Sequence, residues 1–128
     1  MRVLLDTHVL LWWLAGDRKL SKAARAVVAS ADSECLVSAA TAWEITTKVR
    51  LGKLPGIDAV ARDIASAIAS QGFEELDIRV IHAQRAGSLP GNHRDPFDRM
   101  LAAQAEVEGI SIVSADTAFD TLGVPRIW

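Results

Sequence analysis

The chain has 128 residues, half of them hydrophobic, with 16 acidic against 14 basic side chains and a formal net charge of −2. That suits one domain, residues 1–128, built around one core, and it excludes a disordered chain. It also excludes a strongly basic protein that coats nucleic acid, while leaving room for a local basic patch. One cysteine, Cys35, allows no internal disulfide, which fits a reducing compartment. The apolar run from Val9 to Gly16 is far short of a membrane span. Asp6 interrupts the apolar start, which is wrong for a signal peptide. The expectation is a soluble cytoplasmic protein without membrane association.

The elements alternate along the chain. "RVLLD", residues 2 to 6, is too short for a helix and reads as a strand buried on both faces. "THVLLWWLAG" predicts a short helix stopped by Gly16. "LSKAARAVVASA" opens on Ser21 as an N-cap and repeats apolar residues at helical spacing. "CLVSA", residues 35 to 39, predicts a second buried strand. "ATAWEITTKVRLGKLPG" predicts a helix ending near Gly52. Residues 57 to 72, "IDAVARDIASAIASQG", predict one amphipathic helix ended by Gly72. A short strand around Glu75 to Ile78 precedes the helix "VIHAQRAGSL". "RMLAAQAEVEG" is a helix closed by Gly109. "ISIVSAD", residues 110 to 116, is a further strand, and "VPRIW" adds an edge strand. This alternation argues an α/β fold with a mostly parallel sheet and helices on both faces.

In such sheets ligands bind outside the carboxyl ends of the strands, so acids at those ends are informative. Asp6 ends the first strand and Asp116 follows another. Glu44 sits in the apolar setting of Ala42, Trp43 and Ile45. Asp98 opens the helix after "HRDP". Four carboxylates brought to one rim repel and raise one another's pKa. A divalent cation such as Mg²⁺ or Mn²⁺, which prefers oxygen ligands, offsets that. Two such ions can activate a water and stabilise the leaving oxygen of a phosphodiester. His8, His82 and His93 are scattered, so zinc is not indicated.

Each acid also has a structural explanation. Asp95 before Pro96 is an N-cap with proline at N1, and for Asp95 this is the stronger reading. Asp98 falls at N3, where an acid can return a capping-box bond, and its two readings stand even. Asp6 and Asp116 each precede a threonine and could cap a helix or a turn. Glu44 could pair with Lys48 one turn on. Predicted convergence at one rim tips the balance towards chemistry.

The segments "LLDTHVLLWWL", "SAATAWEITTKVRLGKL", "HRDPFDRMLAAQA" and "IVSADTAF" together resemble the PIN domain family, and its VapC-type toxins of bacterial type II toxin–antitoxin pairs. The resemblance spans essentially the whole chain. It implies a three-layer α/β/α sandwich with a central parallel sheet. It implies a Mg²⁺- or Mn²⁺-dependent endoribonuclease whose metal-binding catalytic acids match Asp6, Glu44, Asp98 and Asp116. Asp95, Thr7 and Ser114 would support the site. It further implies a homodimer and an inhibitory cognate antitoxin.

An RNA substrate needs positive charge near these acids. "KVRLGK" supplies Lys48, Arg50 and Lys53, and the opening of the Asp98 motif supplies His93, Arg94 and Arg99. Lys48, Arg94 and Arg99 are the chosen RNA-binding candidates, against the usual fate of a solvated face. Trp12 and Trp13 could stack on bases, but core packing or a protein interface is the stronger reading. A PIN-like module that binds RNA or protein without cutting is the alternative function. A haloacid-dehalogenase-like phosphatase wants a second acid where "DTH" has His8. A DNA-directed nuclease would carry the same acids.

Overall fold

A computed structural model describes residues 1–128. Five strands form one sheet in the order β3-β2-β1-β4-β5, with every neighbouring pair parallel. They are β1 (Arg2–Leu5), β2 (Glu34–Ser38), β3 (Glu74–Leu76), β4 (Ser111–Val113) and β5 (Arg126–Ile127). The expected mostly parallel sheet is thus wholly parallel. Consecutive side chains of a strand point to opposite faces. Val3 and Leu5 therefore join one core cluster with Val9, Leu10, Ile45 and Ile68, while Leu4 joins the other with Leu101, Ala102 and Phe119. Two cores on two faces make the expected three layers.

The first face is covered by α1 (Thr7–Ala15), α2 (Lys22–Ala29), α3 (Ala39–Arg50), α4 (Asp58–Arg62) and α5 (Ile64–Ser70). The second is covered by α6 (Val80–Ser88), α7 (Pro96–Glu108) and α8 (Ala118–Thr121), with Ala40 at the start of α3 reaching the same core. Helix α1 ends at Gly16 and α7 at Gly109, both left-handed with φ of 63° and 67°, a conformation glycine adopts without a Cβ penalty. No helix is long and apolar enough to cross a membrane.

One predicted element differs. Residues 57 to 72 form two helices, not one. Asp63, at φ −153° and ψ 75°, breaks the run and starts α5 itself, accepting from the Ser66 amide at 3.1 Å and the Ser66 hydroxyl at 2.7 Å. A local side-chain bond to the backbone competes with helix continuation at such a residue. The first-helix tryptophans are partly buried and pack against the first core. Trp12 lies 5.8 Å from Trp128, ring to ring, and Trp13 lies 6.3 Å from Phe73 and donates to Gln71 at 3.0 Å.

Strand β1 is central. The chain leaves it first to build β2 and β3 on one side, then crosses to build β4 and β5 on the other. The reversal falls between β1 and β4, which is where the binding crevice of such a sheet lies, outside the carboxyl ends of the strands.

Candidate active site

Asp6 follows β1 directly at that crevice. Its backbone N–H donates to the Val113 carbonyl at 3.0 Å, which extends the β1–β4 ladder by one bond. Its side chain is 5% exposed. One carboxylate oxygen caps α1 by accepting from the Thr7 N–H at 2.7 Å, and the other accepts from the Ser114 hydroxyl at 2.7 Å. Burial pushes the Asp6 carboxyl above the usual carboxylate range, against those two hydrogen bonds, and the nearby Glu44 charge raises it further.

Glu44 reaches the same place from α3 and is 3% exposed. Its Oε1 accepts from the Thr7 hydroxyl at 2.6 Å, which also meets Thr41 at 3.2 Å. Its Oε2 is held by the Lys48 ammonium at 2.5 Å. The structural pairing read from sequence at (i, i+4) is therefore formed. It answers the problem that a buried carboxylate without a partner is very costly.

Asp98 comes from the first turn of α7. Asp95 caps that helix twice, accepting from the Phe97 N–H at 2.9 Å and the Asp98 N–H at 3.1 Å, with Pro96 at the first helical position. The Asp98 side chain makes no return bond to the cap. It turns instead to the His93 Nε2, 2.9 Å away. Burial pushes the Asp98 carboxyl up to about 6; His93 opposes this, while the Asp95 and Asp6 charges add to it. Lys48 in turn feels Asp95 and Asp98 as well as Glu44. Asp6, Glu44 and Asp98 thus share one electrostatic neighbourhood with Lys48 among them.

Asp116 stands apart from this group. It is exposed, and its carboxylate accepts from the Ala118 N–H at 2.9 Å, forming a local turn. Its link to the site is indirect, through its own N–H on the Ser114 hydroxyl at 3.0 Å. The expected convergence of four acids is therefore three acids plus one neighbour. The acids do not form a tight cage of three or more ligands. Their chemistry nevertheless fits a hard divalent cation: all donors are oxygens, the Asp6 and Asp98 carboxyls are desolvated, and the Glu44 charge raises Asp6 as the Asp6 charge raises Asp98. Asp6 and Asp98 keep unused lone pairs beside their present bonds. The exception is Glu44, whose two oxygens already have Thr7 and Lys48.

The basic candidates divide. Arg94 is exposed and makes no hydrogen bond or ion pair to protein, so it can meet a phosphate. Lys48 is held by Glu44. Arg99 already has structural partners: its guanidinium donates to the carbonyls of Ala86 at 3.0 Å, His93 at 3.1 Å and Leu89. It pins the 86–93 segment to α7 while staying partly exposed. The sequence reading missed His93 as the partner of Asp98. A histidine five residues before an acid is no signal in itself, because the intervening loop decides where it points.

The chain matches the PIN domain family over residues 3–125, and it belongs to that family. Ribonuclease VapC22 of Mycobacterium tuberculosis (strain ATCC 25618 / H37Rv) is 28% identical over 128 residues, covering 97% of this chain and 94% of that one. Among solved structures, VapBC2 from Rickettsia felis, bound to a DNA fragment from its promoter, superimposes with a TM-score of 0.71 at 14% identity, over 98% of this chain and 97% of that one. VapC20 of Mycobacterium tuberculosis, described as a sarcin–ricin loop cleaving toxin, gives a TM-score of 0.66 at 18% identity over 95% of each chain. At those identities the two structures bear on the fold alone.

Proposed function

We propose that the protein is a metal-dependent endoribonuclease, the VapC-type toxin of a type II toxin–antitoxin pair. One observation supports this reading most: in a PIN-family chain, Asp6, Glu44 and Asp98 come from three separate elements and lie within one another's electrostatic reach beside the carboxyl end of β1. The similarity to a protein named as a ribonuclease supports it.

Asp6, Glu44 and Asp98 hold Mg²⁺ or Mn²⁺, with Asp116 contributing from the edge. When bound, such an ion supplies the Lewis acidity that activates water and neutralises the phosphate during phosphodiester hydrolysis. Thr7 and Ser114 orient Glu44 and Asp6 by hydrogen bonds. Asp95 fixes the start of α7 and so the place from which Asp98 projects. Arg94 meets the RNA backbone from the rim. The overall reaction adds water across one P–O bond and leaves no covalent mark on the protein.

The partner is a cognate antitoxin in the cytoplasm, a setting consistent with a single buried cysteine. A homodimer is supported by an apolar groove lined by Trp43 and Ile78, which are 61% and 37% exposed. One observation favours the alternative of a non-cutting module: Lys48 already neutralises Glu44.

The test is cleavage of total cellular RNA by wild type and Asp6→Asn with Mg²⁺, Mn²⁺ or EDTA. Discrete products are expected with metal, absent with EDTA, and reduced by more than about a hundredfold in the variant. Asp6→Asn cutting at the wild-type rate would remove the carboxylate assignment. A folded, antitoxin-free protein that neither cuts nor binds either ion would establish the module.

A further inference from the structure

The ion pair between Glu44 and Lys48 has a geometry that a simple surface pair would not have. Glu44 is 3% exposed, and its Oε1 is taken by the Thr7 hydroxyl at 2.6 Å. That leaves Oε2, and Lys48 Nζ occupies it at 2.5 Å. The Lys48 side chain is 27% exposed. Its flexible four-carbon stem can therefore carry the ammonium out to water without disturbing α3. The ammonium also lies within the fields of Asp95 and Asp98. It is a cationic group placed among the site's carboxylates, as His93 is beside Asp98, and it alone sits on the Glu44 oxygen that a metal ion would need.

We propose that Lys48 is a resident counter-ion that occupies the cation position of the empty site and withdraws when a divalent ion binds. It acts as a positioning residue. It holds Glu44 in place in the metal-free chain, and it competes with the incoming ion for Oε2. The exchange replaces one charge partner of Glu44 with another, so the buried carboxylate is never left alone. This inference rests on the proposed metal site.

The experiment measures thermal unfolding and Mn²⁺ titration calorimetry on wild type, Lys48→Met, Arg94→Gln and the double variant Glu44→Gln/Lys48→Met. Arg94→Gln removes one positive charge from the same rim without touching Glu44, and so reports the general field. In EDTA, Lys48→Met is expected to melt roughly 5 °C or more below wild type, because Glu44 is left unpartnered. Saturating Mn²⁺ closes most of that gap, and Mn²⁺ binds Lys48→Met about tenfold tighter than wild type, beyond any gain in Arg94→Gln. The double variant recovers stability in EDTA, since no buried charge remains. An equal deficit with and without Mn²⁺, or a chain that stays unfolded with Mn²⁺ present, shows a purely structural lysine and overturns the proposal. So does a Lys48→Met that melts like wild type in EDTA, or that gains no more affinity than Arg94→Gln. Failure of wild type itself to bind Mn²⁺ removes the metal site first, and the exchange with it.

Discussion

Asp98 sits where burial and charge act together, and its behaviour with pH follows. Its carboxyl is held at about 6 in the fold against 3.8 for an ordinary aspartate, so folding favours the protonated form. That contribution to stability is complete below the ordinary value and is lost as pH rises through about 6. Asp6 is shifted in the same direction. The metal-free protein should therefore melt higher near pH 5 than near pH 7, and Asp98→Asn should shrink that difference. Adding Mn²⁺ should reverse the trend, because a carboxylate must be ionised to bind the cation. Equal pH slopes for wild type and Asp98→Asn in EDTA would count against this account. At this scale the sequence was legible wherever a partner is close along the chain. Asp95 caps its own helix, Asp6 caps α1 and Glu44 meets Lys48, all within four residues. The structural partners of Arg99 were not legible, because they are carbonyls brought to it by the packing of α6 on α7, which charge and spacing do not encode.

Helix α7 joins structure to chemistry at its first turn. Asp95 satisfies two of the N–H groups that a helix start leaves without partners, and the same turn projects Asp98. Asp95→Ala should cost about 1 kcal/mol, or roughly 4 °C in melting temperature, and should lower cleavage by loosening Asp98. Asp95→Asn keeps an acceptor oxygen and should preserve both properties. If Asp95→Asn loses as much activity as Asp95→Ala while staying stable, Asp95 acts through its charge and not as a cap. The elements themselves were readable because buried strands of this sheet are short apolar runs bounded by polar residues and helix stops. The break at Asp63 was not readable. Ile57, Val60, Ala61, Ile64 and Ile68 continue an apolar rhythm straight across it, and only the capping bonds to Ser66 reveal that the backbone has turned.

For the whole molecule, alternation of strands and helices predicted a parallel sheet, but not the side on which β4 would join β1. That choice rests on long-range contacts and sets the position of the crevice. The outer surface carries a second long-range feature. Trp43 stands edge-on to Phe97 at 4.9 Å, beside a groove of about 220 Å³ that Ile78, Ala86 and Met100 also line. An apolar face of this kind calls for a protein partner, and a second copy is the proposed one. The protein should sediment at twice its 13.8 kDa chain mass, and Trp43→Glu should sediment as a monomer with an unchanged far-ultraviolet spectrum. A wild-type monomer, or a variant that remains paired, would move the interface elsewhere. The central position of β1 has a temporal consequence. The groups that seat Asp6, the Val113 carbonyl and the Ser114 hydroxyl, are made 107 and 108 positions later (113 − 6 and 114 − 6). Until translation has passed them, the first strand has no neighbour on one side and its carboxylate has no fixed direction. A partly made chain that stops short of them therefore lacks the seat that holds this carboxylate.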